Sequence, residues 1–360
     1  MGNVGRAVVR LLQAKEKELR ERYGIEWRAT GVASRRMGWI ARPEGLEAEE
    51  ILALANRASG EKQGGAVPKV RDAAVQGGRS NPEASGVPLQ APTPQTKDVR
   101  EWIAAARADV LMEMTPLNRV DGQPAVEHIR AALEAGAHAI SANKGPVVFA
   151  HEELRKLAQE KGKKFLFESA VMDGTPIFSL FRETLPLAEL RGFRGILNST
   201  TNVVLAGMEV GLPLEEAVKR AQELGVAETD PSDDLDGWDA AVKVAALAIV
   251  LMGAKVRIEE IEREGIRRLD PAAVREARAA GTPYKLVCRA ERAGGRVRAS
   301  VRPERVPLGD PLAAVNGTSS CVHFHLDFLP GLTIVEHAPG VEATAYGMVA
   351  DFIHAVGKEV

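Results

Sequence analysis

Two lysines and a run of carboxylates are the residues of this sequence best suited to moving a proton. The stretch from Gly225 to Lys243, GVAETDPSDDLDGWDAAVK, holds Glu228, Asp230, Asp233, Asp234 and Asp236 in a turn-rich segment broken by Pro231 and Gly237. The spacing then predicts a helix in which Asp239 and Lys243, four residues apart, stand one above the other on one face. The next residues, VAALAIVLMGA, are apolar nearly all round and read as a buried helix. A lysine at the mouth of such a helix, flanked by acids, suits proton transfer or the holding of a carbonyl oxygen. A surface Asp–Lys pair beside a solvated acidic loop would have the same spacing, so this segment alone leaves both readings open.

The rest of the composition narrows the class of protein. At 360 residues the chain has room for two domains, each with its own core. A net charge of -2 and 4% aromatic residues give no reason to expect a nucleic-acid partner. No apolar run reaches the roughly 18 residues that cross a bilayer, so no membrane partner is expected. The opening MGNVGRAVVRLLQAKEKELRERYG reads as a charged, amphipathic helix rather than a signal peptide. Cys288 and Cys321 are too few for a disulfide framework and lack metal-ligand spacing, which makes the cytoplasm the expected location. His323 and His325 alternate along SSCVHFHLDF, but with no third ligand nearby they read as core or interface packing.

Residues 1–150 show a βα rhythm. A helix over Arg6–Tyr23 leads to the strand EWRATGVASRR. A helix near Thr96–Arg107, the strand ADVLMEMTP, the helix AVEHIRAALEAG and the strand HAISANKGP come after it. The strands end at Ser34, at Thr115 and Pro116, and at residues 142–144, and in open α/β sheets ligands bind at such carboxyl ends. The Gly-, Pro- and Ser-rich stretch Gly60–Gln95 reads as a long loop or partly ordered insertion, so that 41–97 is in part loop. Beyond residue 150 come the helix HEELRKLAQEKG, the strand KFLFESAV, the helix PIFSLFRETL, the strand RGFRGILN and the helix LEEAVKRAQELG. Tyr284 to Ala338 alternates like antiparallel strands, and ATAYGMVADFIHAV closes the chain as a helix.

The first residues, MGNVGRA, match the second half of the G-x-G-x-x-G dinucleotide fingerprint, with Gly2 and Gly5 as its second and third glycines around Asn3 and Val4. Its first glycine, and the strand that would precede it, do not occur in the sequence. That strand is central in such folds, so the natural protein is expected to start upstream, with Met1 internal. A lone G-x-x-G could also simply open a helix. After the next strand stand Ser34, Arg35 and Arg36; arginine there accommodates the 2′-phosphate of NADP, where an acid would take the ribose of NAD. The expected fold class is therefore α/β. A Rossmann-type domain spans 1–150, and an α+β substrate and dimerisation domain with a mostly antiparallel sheet spans 151–338. A last helix over 339–360 packs back on the cofactor domain. The open sheet invites a second subunit, so a homodimer is expected.

Four motifs now line up in order: GNVG, SANKGPV (141–147), GILNSTTNVVL (195–205) and the acidic segment ending at Lys243. Together they resemble the homoserine dehydrogenase family over essentially the whole chain. The resemblance implies reduction of aspartate 4-semialdehyde to L-homoserine with NADPH or NADH, in the biosynthesis of threonine and methionine. It also implies site residues. Lys144, with Asn143, Thr115 and Pro116 about it, falls at the cofactor–substrate junction. Glu228 matches the ligand of the substrate amine. Asp234, Asp239 and Lys243 match a catalytic acid–lysine set with Lys243 as proton donor, and Thr200 lies on a substrate-contacting loop.

The departures are as specific. The family pattern V-G-G-G-x-P, where many members bind sodium, appears within Glu168-Ser-Ala-Val171-Met-Asp173-Gly-Thr175-Pro. A sodium site there would use Glu168, Val171, Asp173 and Thr175, mainly through backbone carbonyls. The family's G-P-G-A-G becomes HAPGVEATAYG (337–347), and no regulatory domain is expected beyond the last core helix, which ends close to Val360. The Met172–Asp173 departure keeps one rival open, another NAD(P)-dependent amino-acid or aldehyde dehydrogenase on this scaffold, and the missing first strand keeps a second, a non-catalytic cofactor-binding or assembly protein. The chemistry stands beside the resemblance. Reducing an aldehyde needs a cation and a proton at the developing alkoxide, and a protonated lysine supplies both.

Overall fold

The computed structural model describes residues 1–59 and 98–357. The loop expected over Gly60–Gln95 lies outside the described residues. The chain opens with α1 (Asn3–Ala14) and α2 (Glu16–Tyr23), which splits the single helix expected there at Lys15. Gly24 ends α2 in the left-handed conformation, φ 65°, which costs glycine little.

The described chain divides into two compact units, one formed by residues 1–2 and 28–108 and the other by the remainder. In the first, β1 (Ala29–Ser34) pairs antiparallel with β2 (Gly38–Leu46) through a hairpin whose turn carries Arg35 and Arg36. Beyond the hairpin come α3 (Ala48–Ser59) and α4 (Val99–Ala106). The α4 residue Trp102 donates its indole N–H to the Ile40 carbonyl at 2.8 Å and meets Trp39 with ring centroids 5.5 Å apart. One expectation is corrected here: among the described residues β1 pairs with a hairpin partner rather than entering a parallel sheet. Within the bounds 41–97, expected to be loop only in part, β2 and α3 occupy residues up to Ser59. β2 contains Pro43 and Gly45; with β1 as its one partner among the described residues it is an edge strand, which tolerates both.

The second unit holds β3 (Val110–Glu113), α5 (Ala125–Glu134), β4 (His138–Ser141), α6 (Lys144–Glu160) and β5 (Phe165–Leu166), whose strands form a parallel sheet in the order β3-β4-β5. The strand expected over KFLFESAV is cut short because Glu168–Ala170 turns in a 3₁₀ bend, and the helix expected at PIFSLFRETL becomes a single wide turn over Leu180–Thr184. Next come β6 (Leu190–Ile196), α7 (Ser199–Glu209), α8 (Leu214–Glu223), α9 (Ser232–Leu235) and α10 (Trp238–Met252). The chain continues with β7 (Glu262–Arg263), α11 (Pro271–Ala279), β8 (Tyr284–Ala293), β9 (Arg296–Arg305), β10 (Ser320–Leu326), β11 (Leu332–Glu336) and α12 (Val341–Val356). The second sheet runs β11-β10-β6-β8-β9-β7, antiparallel except for the β7–β9 pair.

Two packings position the polar residues of the second unit. α10 lies on β8 and β9 and against α6, which is why its residues from Ala240 to Ala248, apart from Lys243, are buried. α12 packs against α1: Met348, Val349 and Phe352 share a core with Ala7, Val8, Leu12 and Ile140.

Candidate active site

The carboxyl ends of β3 and β4 are tied into one edge. Buried Glu113 accepts the Thr115 N–H at 2.8 Å and the Thr115 hydroxyl, and its other oxygen takes the Ser141 hydroxyl at 3.2 Å. Asn143 caps α6 by accepting the Gly145 N–H at 2.8 Å, while its amide donates to the carbonyls of Thr115 at 2.9 Å and Pro116 at 3.3 Å. The first helical residue after that cap is Lys144, so strand pairing and capping together aim its side chain.

Lys144 meets Asp239 across elements. Its Nζ lies 3.2 Å from Asp239 Oδ1, and Lys243 Nζ lies 3.2 Å from Asp239 Oδ2, so one carboxylate bridges two ammonium groups. The side chains of Lys144, Asp239 and Lys243 are 17%, 23% and 19% exposed, enough to be reached and too little to be screened by bulk water. Lys243 also donates to the Leu197 carbonyl at 2.6 Å. Asp234 enters through Asn198, whose amide donates to Asp234 at 2.6 Å and to Asp239 at 3.1 Å.

The charges in this cluster are shifted in opposite directions. Burial alone would raise the Asp239 carboxyl, but the Lys144 and Lys243 ammonium groups outweigh it and hold Asp239 well below the usual carboxylate range. Burial would likewise depress Lys243, yet Asp239 and then Asp173 raise it above an ordinary lysine, so it stays charged at neutral pH. Asp234 is raised, first by burial and then by the Asp239 charge beside it. Displaced acids and a charged lysine around a reachable opening are what acid–base chemistry needs.

The other acids of the loop divide from these. Asp233 pairs with Arg119 at 3.3 Å, and Arg119 and Arg263 stack on the Trp238 ring at 4.9 and 3.6 Å from its centroid. Asp236 pairs with Arg267 at 2.6 Å, and Asp230 accepts the Ser232 N–H at 3.1 Å. These three hold the loop together. Glu228 is exposed in the segment after α8, and its carboxylate has no partner among the described residues. Thr200 is buried on the first turn of α7, a correction to its expected place on a loop, and its hydroxyl donates to the Val226 carbonyl at 3.3 Å, two residues before Glu228.

Beside the lysines lies the turn that departs from the glycine pattern. Met172 and Asp173 both have φ 54°, a left-handed conformation costly for residues with a Cβ. A Cβ at Gly174 would run into the Ala343 carbonyl, so the third position has kept its glycine. Asp173 accepts the Thr344 hydroxyl at 2.8 Å, and Thr175 donates to Glu336 at 2.6 Å. Glu168 accepts the N–H groups of Ile177 at 2.6 Å and Phe178 at 2.8 Å on one oxygen and of Ser179 at 2.7 Å on the other. One lone pair of that carboxylate is left for a cation.

At the start of the chain α1 has no acid in its first turn, and a Cβ on Gly2 would meet nothing within 4 Å, so an anion can approach these amides. Arg35 and Arg36 are exposed in the β1–β2 turn and have no partner among the described residues.

Two family models cover this arrangement: the homoserine dehydrogenase NAD-binding domain matches residues 1–168, and homoserine dehydrogenase itself matches residues 176–353. An NAD(+)-dependent homoserine dehydrogenase of Pseudomonas canavaninivorans is 33% identical over 98% of this chain and 93% of its own length. The chain belongs to the homoserine dehydrogenase family.

Two solved structures support that membership. A protein of Archaeoglobus fulgidus assigned as a homoserine dehydrogenase superposes with a TM-score of 0.81 at 29% identity, covering 99% of this chain and 98% of that one. A hyperthermophilic archaeal homoserine dehydrogenase in complex with NADPH gives 0.76 at 25% identity, covering 98% and 94%. The chain is thus a nicotinamide-dependent oxidoreductase with a Rossmann-type domain, of a family that interconverts aspartate 4-semialdehyde and L-homoserine.

Within this homoserine dehydrogenase framework the structure brings Lys144, Asp234, Asp239 and Lys243 together. Two residues at the centre of the hydrogen bonding, Asn198 and Glu113, do not stand out in the sequence. For Asn198 a signal exists: Asn before Ser-Thr-Thr is a helix cap. Glu113, inside a strand, gives no such sign. Burial pushes the Cys288 thiol up to about 12, and His323 bonds Thr333 at 2.7 Å with no metal cluster among the described residues.

Proposed function

We propose that this chain interconverts aspartate 4-semialdehyde and L-homoserine at the Asp239–Lys144–Lys243 cluster, with NADP preferred over NAD. The observation that carries the reading is one carboxylate held 3.2 Å from each of two ammonium groups, one lysine from each expected domain. The nicotinamide, when bound, supplies or accepts the hydride. Lys243 gives its proton to the alkoxide oxygen that develops as the aldehyde is reduced, and takes it back in the reverse direction. Asp239 keeps Lys243 charged and in place. Lys144 puts a second positive charge beside the reacting oxygen. Glu228 takes the substrate ammonium in a charge-assisted bond, and Thr200 lines the same loop.

Gly2, Asn3, Val4 and Gly5 would hold the pyrophosphate at the start of α1, with Thr115, Pro116 and Asn143 toward the nicotinamide. Ser34, Arg35 and Arg36 are assigned the ribose, and the two unpartnered guanidinium groups favour a 2′-phosphate. A sodium ion would draw on the spare lone pair of Glu168 and the carbonyls of Val171, Asp173 and Thr175, and would act by stiffening the turn. A homodimer joined through the β11 side of the sheet is supported by the exposed apolar side chains of Phe328, Leu329 and Val335 there. We place the enzyme in the cytoplasm, with amino-acid biosynthesis.

The test is homoserine-dependent reduction of NADP and of NAD by the wild-type chain and by a double Arg35→Ala, Arg36→Ala variant. The variant should lose roughly tenfold or more in NADP affinity, the scale of a lost charge-assisted contact, and keep its NAD affinity. Equal losses for both cofactors would overturn the NADP assignment. No homoserine-dependent reduction by the wild type would overturn the activity, in favour of another amino-acid or aldehyde substrate.

A further inference from the structure

Asn198 caps α7 and at the same time touches both site carboxylates. Its Oδ1 accepts the Thr201 N–H at 2.8 Å and the Thr201 hydroxyl at 2.9 Å. A backbone N–H can only donate, so this end of the amide must be the oxygen, and the NH₂ end must face the other way. There it meets Asp234 at 2.6 Å and Asp239 at 3.1 Å, two groups that when ionised can only accept. The preceding residue, Leu197, gives its carbonyl to Lys243 at 2.6 Å. Asn198 is 4% exposed, so water has little room to replace it.

We propose that Asn198 is a positioning residue for the reaction: its amide clamps Asp234 and Asp239 side by side, and its cap fixes the carbonyl that orients Lys243. This role rests on the cluster being the catalytic site. Asparagine suits the position because the helix end demands an acceptor and the two acids demand a donor. Aspartate would offer acceptors alone, and serine would keep the cap but fall short of the acids.

The clamp has a consequence in pH. Asp234 is faced by Asp239 and Lys243 from α10, Lys144 reaches the shared carboxylate from α6, and Asn198 and Thr200 face it from α7. Asp173, from the turn after β5, acts on Lys243. Burial and Asp239 already raise Asp234, and the Asn198 bond works against that rise. Without the bond Asp234 rises further, so a rate that needs it ionised begins to fall at a higher pH.

Asn198→Ser on the full chain is the informative variant, because serine remains a good helix cap. The measurements are kcat and KM for homoserine oxidation against pH, with the unfolding midpoint on the same samples. Serine should leave the midpoint near wild type and NADP KM unchanged, lower kcat roughly 10- to 100-fold, the range for a lost bond to a charged group, and move the acid limb to higher pH. Asn198→Asp, equal in shape and cap but lacking the donor, should lose more and recover part of its rate as the pH falls and the carboxyl gains a proton. Wild-type kcat and acid limb in Asn198→Ser would overturn the role. So would a loss proportional to unfolded protein with the limb unmoved, which marks a mere cap. Should Asn198→Ser not fold, Asn198→Asp decides alone: recovery toward acid pH supports the clamp, and a flat profile overturns it. A wild-type chain without homoserine-dependent reduction would overturn the functional reading and this role with it.

Discussion

Asp239 and Glu168 are both carboxylates withdrawn from water, and they are held in opposite ways. Asp239 lies between two lysine ammonium groups and one side-chain amide, all of them movable and the ammonium groups titratable. Glu168 accepts three backbone N–H groups, and its own N–H is taken by Asp351 at 2.7 Å. Backbone amides neither titrate nor move away, so they freeze a carboxylate into architecture. Ammonium groups answer to pH and to a substrate's charge, so they leave a carboxylate able to take part in chemistry. The difference between the two acids is therefore chiefly in their partners.

That comparison can be broken from the architectural side first. Asp351 is 1% exposed, with one oxygen on the Glu168 amide and the other without a partner among the described residues. Burial, with the Glu168 charge adding to it, raises its carboxyl to about 7. A carboxyl raised in the folded state binds its proton more tightly there than in the unfolded chain. Its contribution to stability is whole below an unfolded value of about 4 and is lost as the pH rises to about 7, a loss of at most about 4 kcal/mol. Asp351→Asn keeps an acceptor for the Glu168 N–H and should remove that fall. Denaturant midpoints of both proteins at pH 4.5 and 7.5 measure it. Parallel changes in the two would show that Asp351 is not the group responsible, and kcat should be untouched.

On the chemical side a smaller effect is expected at Glu228. Glu228→Gln should raise the KM for homoserine roughly tenfold, the value of one charge-assisted bond, and leave stability alone. An unchanged KM would return Glu228 to the solvated part of the loop with Asp230.

The range of each interaction decides how much of this is legible in the sequence. Asp239 and Lys243 are readable because their contact is local, four residues along one helix, and because an apolar run marks that helix as buried. Lys144 is readable from the small residues that end a strand. Asn198 is not, since the acids it clamps lie 36 and 41 residues further on. The acidic loop shows its charges but not their division: Asp233 and Asp236 look like Asp234 until Arg119 and Arg267 arrive from distant segments. Residues 41–59 lie in a span read as partly loop, and a strand forms there because Pro43 is harmless in an edge strand. For Thr200 the loop position comes from the resemblance alone; locally, Ser-Thr-Thr is weakly helical, and the Asn198 cap and burial of the adjoining apolar face carry it into α7.

The central claim is that Lys243 does chemistry and not architecture. Homoserine-dependent NADP reduction by wild type and by Lys243→Ala, with NADP titration and thermal unfolding on the same samples, tests it most directly. Turnover should fall at least ~100-fold, the usual scale for losing a general acid, while NADP affinity and the unfolding midpoint stay near wild type. Near-normal turnover, or a loss that simply tracks unfolding, would contradict the account.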